Sequence, residues 1–475
     1  MYFVVRSYPE VRPLPMPIIF EGTEKRNIPV DDVYYYDVQY RNPQFVSVHA
    51  IDLASPDKEI SSKTLAVEDS QNLYMSENNI YITYTQWINE WEIRQEIVNS
   101  LVSEKLSDTD KALIEKIKAT DNDVLSQYEK QQKINNIYNS YLNFLSQNEQ
   151  DDLNDKVEEL LQAKMKELEY LEYTVINKIS VSNGEIAVEG NGKVPGHIIN
   201  QFSMDEHDDT FRIATTLSQR WSSFAKQQTT STSNVYALDK SMKITGKLEG
   251  MAEGEQIYST RFIGDRLYMV TFRQVDPFFV IDLSNPSDIK ELGKLKIPGF
   301  SRYLHPYDGN TIIGIGQDST EQGRIKGLKI SLFDVSDVQN PKEIAKFVTD
   351  ERYAQSTALW EHKAFLFDKE KQLLVIPAYS YEYSPTTGQQ QSGYNGAFVF
   401  KITKNDIELR GLIDHSGGQS GQQYYYQPMV ERSLWINELL YTKSPNLLRV
   451  NKIDDLSSVK NVTLKAGPGG KIPVY

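Results

Sequence analysis

Tyr258-Ser259-Thr260-Arg261-Phe262-Ile263, a Gly264-Asp265 pair, Arg266-Leu267-Tyr268-Met269-Val270-Thr271, then Phe278-Phe279-Val280-Ile281-Asp282-Leu283 and finally Ile289 through Ile297 form the stretch that decides the fold. Each run is short, apolar and bounded by turn residues, which is the signature of β-strands. The Gly-Asp pair closes a tight hairpin between the first two runs. Asp282 followed by Ser284-Asn285-Pro286 makes another turn, because Asp and Asn side chains bond the backbone two residues on and Pro presets φ. The unit is therefore a four-stranded antiparallel meander, with strands named a to d in chain order.

The same unit recurs on both sides. Thr311-Ile312-Ile313-Gly314 pairs with Ile330 through Val335, and Leu373 through Ile376 with Ala397 through Phe400 and Ile407 through Arg410. Phe211 through Ala214 goes with Val235 through Asp239, and Leu439 through Tyr441 with Leu447 through Val450. Strand b begins near Asn79, Thr210, Arg266, Thr311, Leu373 and Leu439, at intervals of roughly 45 to 66 residues except for the first, which is 131. Asp52, Asp239, Asp282 and Asp334 recur at one position after strand c, which assigns them to turns and not to an active site.

The long interval has a simple cause. From Trp87 to about Tyr170 the sequence loses Gly and Pro, and apolar residues fall at helical spacing, as in Val157, Leu160, Leu161, Met165, Leu168 and Leu171. Ser107-Asp108-Thr109-Asp110 and Ser146-Gln147-Asn148-Glu149 supply helix starts. Removing these roughly 84 residues leaves about 47, one ordinary repeat, so the helices are an insertion in a b–c loop. Residues 1–86 and 171–475 carry the blades, and residues 87–170 the insertion.

The repeat predicts an all-β fold, a β-propeller of about seven four-stranded blades with the α-helical insertion in one b–c loop. The first blade is incomplete. It has strand b at Tyr2 to Ser7, strand c at Phe45 to Leu53 and strand d at Glu59 to Val67, but no strand a. Either the chain begins in mid-blade or another segment supplies the strand. Its first residues, Met1-Tyr2-Phe3-Val4-Val5-Arg6-Ser7, read as a strand and lack the basic and apolar regions of a signal peptide.

Composition narrows the function classes. The 475 residues carry 51 Lys and Arg against 65 Asp and Glu, a net charge of −14, with no cysteine. Thiol catalysis, disulfides and cysteine-ligated metals are excluded. The acidity argues against nucleic acid and anionic membrane surfaces, and no run of 18 apolar residues exists to enter a bilayer. The insertion holds 18 acids and 10 bases, a net −8, which is more than half of the chain's excess.

Several stretches resemble the archaeal family of secreted proteins with a C-terminal β-propeller domain. They are Ser70 through Asn79, Asn200 through Glu206, Gly264 through Leu283, Leu304 through Asp308 and Lys363 through Lys371. The resemblance covers nearly the whole chain, including a charged helical insertion at the same place. It implies an extracellular or cell-envelope setting, members that continue upstream with a signal sequence and further blades, and no established catalytic residues.

Long loops mark the b–c and d–a face of the propeller, and tyrosines collect in them: Tyr34, Tyr35, Tyr36 and Tyr40, then Tyr379, Tyr381 and Tyr383, then Tyr424, Tyr425 and Tyr426. Tyrosine gives broad contact area with a hydrogen-bonding tip, so these ten are the candidate binding residues, with packing on the propeller rim as the plainer role. The insertion's apolar stripe either folds on itself, covers the propeller or meets a partner. The run Asp205-Glu206-His207-Asp208-Asp209 reads as a solvated a–b turn rather than a cation site, and Asp121-Asn122-Asp123 fails the calcium-loop pattern at Leu125 and Ser126. His305 is read as a packing residue near the channel.

No metal and no cofactor is expected. The function expected is non-enzymatic, a binding or assembly module of the archaeal envelope or extracellular space with a protein or cell-surface component as partner, within an oligomer or larger complex. The competing class is a hydrolase acting on envelope polysaccharide or peptide, which needs two carboxylates roughly 5 to 10 Å apart in a closed pocket. The sequon Asn461-Val462-Thr463 on the last outer strand fits a secreted context.

Overall fold

A computed structural model describes the chain except residues 9–17, 22, 30, 32, 37–43, 56, 57, 59, 122, 123, 169, 220, 223–226, 229, 273–275, 321–323, 384–389, 417–428 and 465–475. It falls into two compact units. One comprises Met1–Thr85, Thr174–Gln219 and Thr230–Tyr475, the other Gln86–Tyr173 with Arg220–Thr229.

The first unit is built of seven four-stranded sheets. The second blade runs through Asn72–Met75, Asn79–Trp87, Glu172–Ser182 and Glu185–Pro195, and the third through Met204–His207, Thr210–Leu217, Thr232–Leu238 and Ile244–Met251. The fourth has Gln256–Ile263, Arg266–Phe272, Asp276–Asp282 and Lys290–Ile297, and the fifth Phe300–Asp308, Thr311–Ser319, Ile325–Asp334 and Lys342–Val348. The sixth has Leu366–Asp368, Leu373–Tyr383, Gln390–Ile402 and Ile407–Asp414, and the seventh Arg432–Ile436, Leu439–Ser444, Leu447–Lys452 and Ser458–Thr463. The predicted repeat and its insertion between strands b and c of blade 2 are both present.

Blade 1 carries the expected strands b, c and d at Tyr2–Ser7, Gln44–Ala50 and Ser61–Val67. Its fourth strand is unexpected: Val33–Tyr34 adds to the outer edge, parallel to Ser61–Val67. The inner edge of Tyr2–Ser7 has no partner strand among the described residues, and Phe3 and Val5 are exposed on it.

The turn role of the repeated aspartates holds at each position. Asp52 accepts from Ala54 N at 3.0 Å, Asp282 from Ser284 N at 3.0 Å and Asp334 from Ser336 N at 2.9 Å. Asp239 accepts from Ser241 N at 2.9 Å and Lys243 N at 3.0 Å, and these bonds hold its carboxyl below the usual carboxylate range.

Apolar faces are shared between consecutive blades. Val46, Val48 and Leu65 of blade 1 pack with Ile80, Ile82 and Ile179 of blade 2. Blade 2 meets blade 3 through Tyr81 stacked on Phe211 at 4.2 Å, and blade 4 meets blade 5 through Phe278 stacked on Phe333 at 4.7 Å. Blades 5 and 6 share Ile313, Ile330, Leu374 and Phe400, and blades 6 and 7 share Val375, Val399 and Leu440.

The junctions also need missing side chains. Gly246 on strand d of blade 3 lies against the c–d turn of blade 4, and a Cβ built there would fall 1.8 Å from the Pro286 carbonyl oxygen. Gly293 meets Val338 of blade 5 in the same way, at 2.3 Å. The Ser-Asn-Pro turn thus docks one blade on the next as well as reversing the chain.

The second unit contains four helices, α1 (Glu90–Lys105), α2 (Asp108–Ala119), α3 (Gln127–Phe144) and α4 (Gln147–Glu167). Ser107 and Ser126 cap α2 and α3 by accepting from Asp110 N at 3.1 Å and Glu129 N at 3.2 Å. Ser146 N donates to the Glu149 carboxylate at 2.8 Å at the start of α4. Val102, Leu106, Ile114, Ile117 and Ile134 make a core of its own, and the α4 stripe buries Val157, Leu161 and Met165. The short strands Trp221–Ser222 and Gln227–Gln228, from the b–c loop of blade 3, belong to this unit.

A substitution separates the two uses of glycine. Gly246→Ala should cost about 2 to 4 kcal/mol in chemical denaturation, because backbone must move to admit the methyl group. Gly190→Ala, with open space around it and an ordinary φ, should change stability by less than about 0.5 kcal/mol. Equal effects would show that the junction does not need the glycine.

Candidate functional site

The tyrosines predicted to bind divide by position. Tyr34 lies on the outer edge strand of blade 1, where Lys63 Nζ donates to its hydroxyl at 3.3 Å and sits over its ring. Tyr35 is 74% exposed. Tyr36 is used internally: its hydroxyl donates to Gly190 O at 3.0 Å, and its ring packs on the core shared by blades 1 and 2. Tyr379 is half-buried within strand b of blade 6, and Tyr381 and Tyr383 continue that strand. Tyr40 and Tyr424, Tyr425 and Tyr426 lie outside the described residues.

The acidic run at residues 205–209 proves to be two features. Asp208 and Asp209 form the turn, both with positive φ. On strand a, Glu206 is an interblade tie and Asp205 holds a second one, Arg212, in place. Asp205 accepts from Arg212, which is 3% exposed and also reaches Gly264 O of blade 4 at 2.8 Å. Glu206 accepts from Asn79 Nδ2 of blade 2 at 2.8 Å and from the Ser76 hydroxyl. No group of three or more His, Asp or Glu positioned to hold a metal occurs among the described residues.

A different cluster forms where the innermost strands of blades 3 to 6 converge, and composition gave no sign of it. Arg261 comes from strand a of blade 4, and Tyr303 and His305 from strand a of blade 5. Gln201 and Phe202 come from the d–a connection before blade 3, and His362 from the corresponding connection before blade 6. The Arg261 guanidinium lies 4.5 Å from the Phe202 ring and 5.7 Å from the Tyr303 ring. Arg261 Nη2 donates to the Tyr303 hydroxyl at 3.5 Å, and that hydroxyl lies 3.1 Å from His305 Nδ1. Gln201 Nε2 approaches His362 Nε2 at 3.4 Å, joining blades that are not neighbours in sequence. Phe202 meets His362 edge-on at 5.0 Å.

The electrostatics of this cluster are one-sided. Burial disfavours charge on its members: it pushes the Tyr303 hydroxyl up and the His362 imidazole down. His305 is pushed down to about 4, first by burial and then by Arg261. At neutral pH the imidazoles are therefore uncharged and the guanidinium is the cation of the group. No carboxylate forms a salt bridge with Arg261 among the described residues. Beside it lies a cavity of 360 Å³ lined by Leu73, Tyr74, Met75, Gln201, Phe202, Met204, Asp205, Arg261 and Phe262. Such a set of groups holds and orients a ligand. The packing role expected for His305 is met by its contacts with Phe365 at 4.7 Å and Phe367 at 5.4 Å.

The His305 environment fixes a pH dependence. The unfolded chain takes up this proton near pH 6.5 and the folded chain only near pH 4, so stability present above pH 6.5 is lost as pH falls towards 4. Between pH 7 and 4.5, urea unfolding should show a loss in the parent protein larger by about 1 to 3 kcal/mol than in His305→Gln. Identical losses would remove His305 as the cause.

Comparison with known proteins agrees with this architecture. A protein of Methanocaldococcus jannaschii is 39% identical over 290 residues, 61% of this chain and 40% of that protein. One of Archaeoglobus fulgidus is 31% identical over 379 residues, 80% of this chain and 57% of that protein. The chain thus spans about half the length of these curated relatives, both described only as uncharacterized proteins. Among solved structures, apo AztD from Citrobacter koseri is matched at 11% identity over 62% of this chain and 70% of that chain, with a TM-score of 0.37. The C-terminal WD40 domain of Sif2 is matched at 8% identity over 62% of this chain and 66% of that chain, with a TM-score of 0.29. The resemblance read from the sequence implied a C-terminal propeller domain, whereas the family match runs from residue 5 to residue 456. Over nearly its full length, then, the chain belongs to the Beta propeller domain family.

Proposed function

We propose that this protein is a non-enzymatic binding and assembly module of the archaeal cell envelope or extracellular space, with the helical unit as its main protein-contact surface. A propeller supplies a rigid scaffold whose insertions and loops are free to recognise partners. The observation that carries the reading is the surface of the helical unit. It buries a core of its own yet leaves Phe144 90%, Tyr128 73%, Val124 71% and Trp91 65% exposed.

Up-and-down connection of the four helices brings the starts of α1 and α3, and with them Trp91, Val124 and Tyr128, to one end of the bundle, and Phe144 to the other. Large exposed aromatics on a folded acidic surface are the composition of a contact patch. The exposed Tyr35, next to Tyr34 on the rim of blade 1, adds a second patch of the same character. The envelope setting rests on the family resemblance and is supported by the exposure of Asn461, the sequon asparagine on the outer strand of blade 7.

A photo-crosslinking residue at position 144 or 128 tests the contact surface in archaeal envelope extracts. Phe144→Ser with Tyr128→Ser should leave the thermal unfolding curve in place and lower recovery of a crosslink made from position 124 at least fivefold. Unchanged recovery would overturn the assignment. Fractionation of the native protein should place it in the envelope or the medium, and recovery from the cytosol alone would overturn that setting.

A further inference from the structure

We infer that the cluster on the innermost strands of blades 3 to 6 is a binding site for a carboxylate attached to an apolar body, with Arg261 as the anion-binding residue. Of the buried cations, Arg212 is neutralised by Asp205 and Lys329 by Glu343 at 2.8 Å, while Lys130 and Lys178 are held by the backbone carbonyls of Lys118 and Lys240. Arg261, half-buried, instead packs against the neighbouring Phe202 and Tyr303 rings, and its one hydrogen bond among the described residues is the 3.5 Å contact to the Tyr303 hydroxyl. A guanidinium has five N–H donors in a planar fork that matches a carboxylate, and one weak hydrogen bond to Tyr303 leaves most of those donors for a ligand.

The cradle opens on a space suited to such a ligand. Arg261 and Gln201 are polar groups at the wall of the 360 Å³ cavity, while Leu73, Met75, Phe202, Met204 and Phe262 supply apolar surface. That volume takes a side chain or a small organic acid. The other charged group on the wall, Asp205, is already paired with Arg212 and disfavours a dianion. A singly charged carboxylate with an aromatic or aliphatic tail therefore fits better than a phosphate. Gln201 is placed to donate a second hydrogen bond, since its amide reaches only to His362 at 3.4 Å.

Two sources carry this chemistry, a free organic acid and the C-terminus of a peptide ending in an apolar residue. Calorimetric titration of the whole chain distinguishes them with 3-phenylpropanoate, an acetylated dipeptide ending in Phe with a free carboxylate, and the same dipeptide as its C-terminal amide. We expect binding by at least one of the two acids, at least tenfold weaker binding by the amide, and affinity that falls as salt rises. Arg261→Gln should lose at least tenfold in affinity for the acid, and Arg261→Lys, which keeps the charge without the fork, should lose less. Binding of phenylpropanoate identifies a free acid, and binding of the peptide alone a chain terminus; either supports the site.

Equal binding of acid and amide would overturn it, as would acid binding retained in Arg261→Gln or no binding to any probe at 10-fold molar excess over 1 mM protein, concentrations on the order of those that detect weak ligands. Should Arg261→Gln fail to fold, Arg261→Met keeps an apolar stem against the rings and reads the same loss. None of these variants alters the exposed aromatics of the helical unit, so crosslinking at positions 144 and 128 stands or falls independently.

Discussion

No blade of this protein can bury its own apolar surface. A four-stranded sheet has two faces, and the cores that form here each draw side chains from two consecutive blades, as where Val46 and Leu65 meet Ile82 and Ile179, or Leu374 meets Ile313 and Ile330. Stability is therefore a property of junctions, and other features follow from the need to bring sheets close. Glycine appears where strand d would strike the next turn, as at Gly246 and Gly293. Buried polar pairs appear where two blades and a hairpin meet, as with Arg212, Asp205 and the Gly264 carbonyl. The convergence of inner strands that produces the Arg261 cluster is the geometric remainder of the same packing, since the strands nearest the axis have no sheet beyond them.

The parts of the structure legible in the sequence were those written by local chemistry. Alternating apolar runs gave the strands, and the Asp at the end of strand c gave the turn because its side chain bonds an amide only two residues away, as Asp282 does with Ser284. Helical spacing and the loss of Gly and Pro gave the insertion. What stayed hidden depends on distance along the chain. Glu206 sits among acids in a sequence that looks like a solvated loop, and only the approach of Asn79 from the preceding blade turns it into a tie. The parallel strand at Val33–Tyr34 is two residues long and follows no hairpin signal. Arg261 is one of many arginines, and its want of a carboxylate is visible only when Phe202, Tyr303 and His362 have been placed around it. The expectation placed binding in the long loops where tyrosines collect, and Gln201, Phe202 and His362 lie in d–a connections that it did not single out.

In the proposed reading the helical unit and the inner cluster solve the problem of recognition by opposite means. The helical unit places aromatic side chains in solvent on a surface that already carries excess negative charge, so desolvation on contact favours burial while the acids restrict which partners approach. The inner cluster does the reverse, keeping one cation in a partly dry cradle where a hydrogen bond to an anion is stronger than in water. In the proposed reading one chain carries both a contact surface and a small-ligand cavity, with different sequence constraints acting on each.

The helical unit leaves and rejoins its blade through chain segments that lie side by side, with Ile88 N donating to Leu171 O at 2.9 Å. Ladder pairing continues to the point where the insertion begins, so strands b and c of blade 2 meet as they would across a short loop. The entropy of closing a loop grows only with the logarithm of its length, by about 0.6 kcal/mol for each doubling. In evolutionary terms such an insertion is nearly free to arrive, diversify or vanish: the blade registers only its two ends, and the helices can change while the blades keep their sequence.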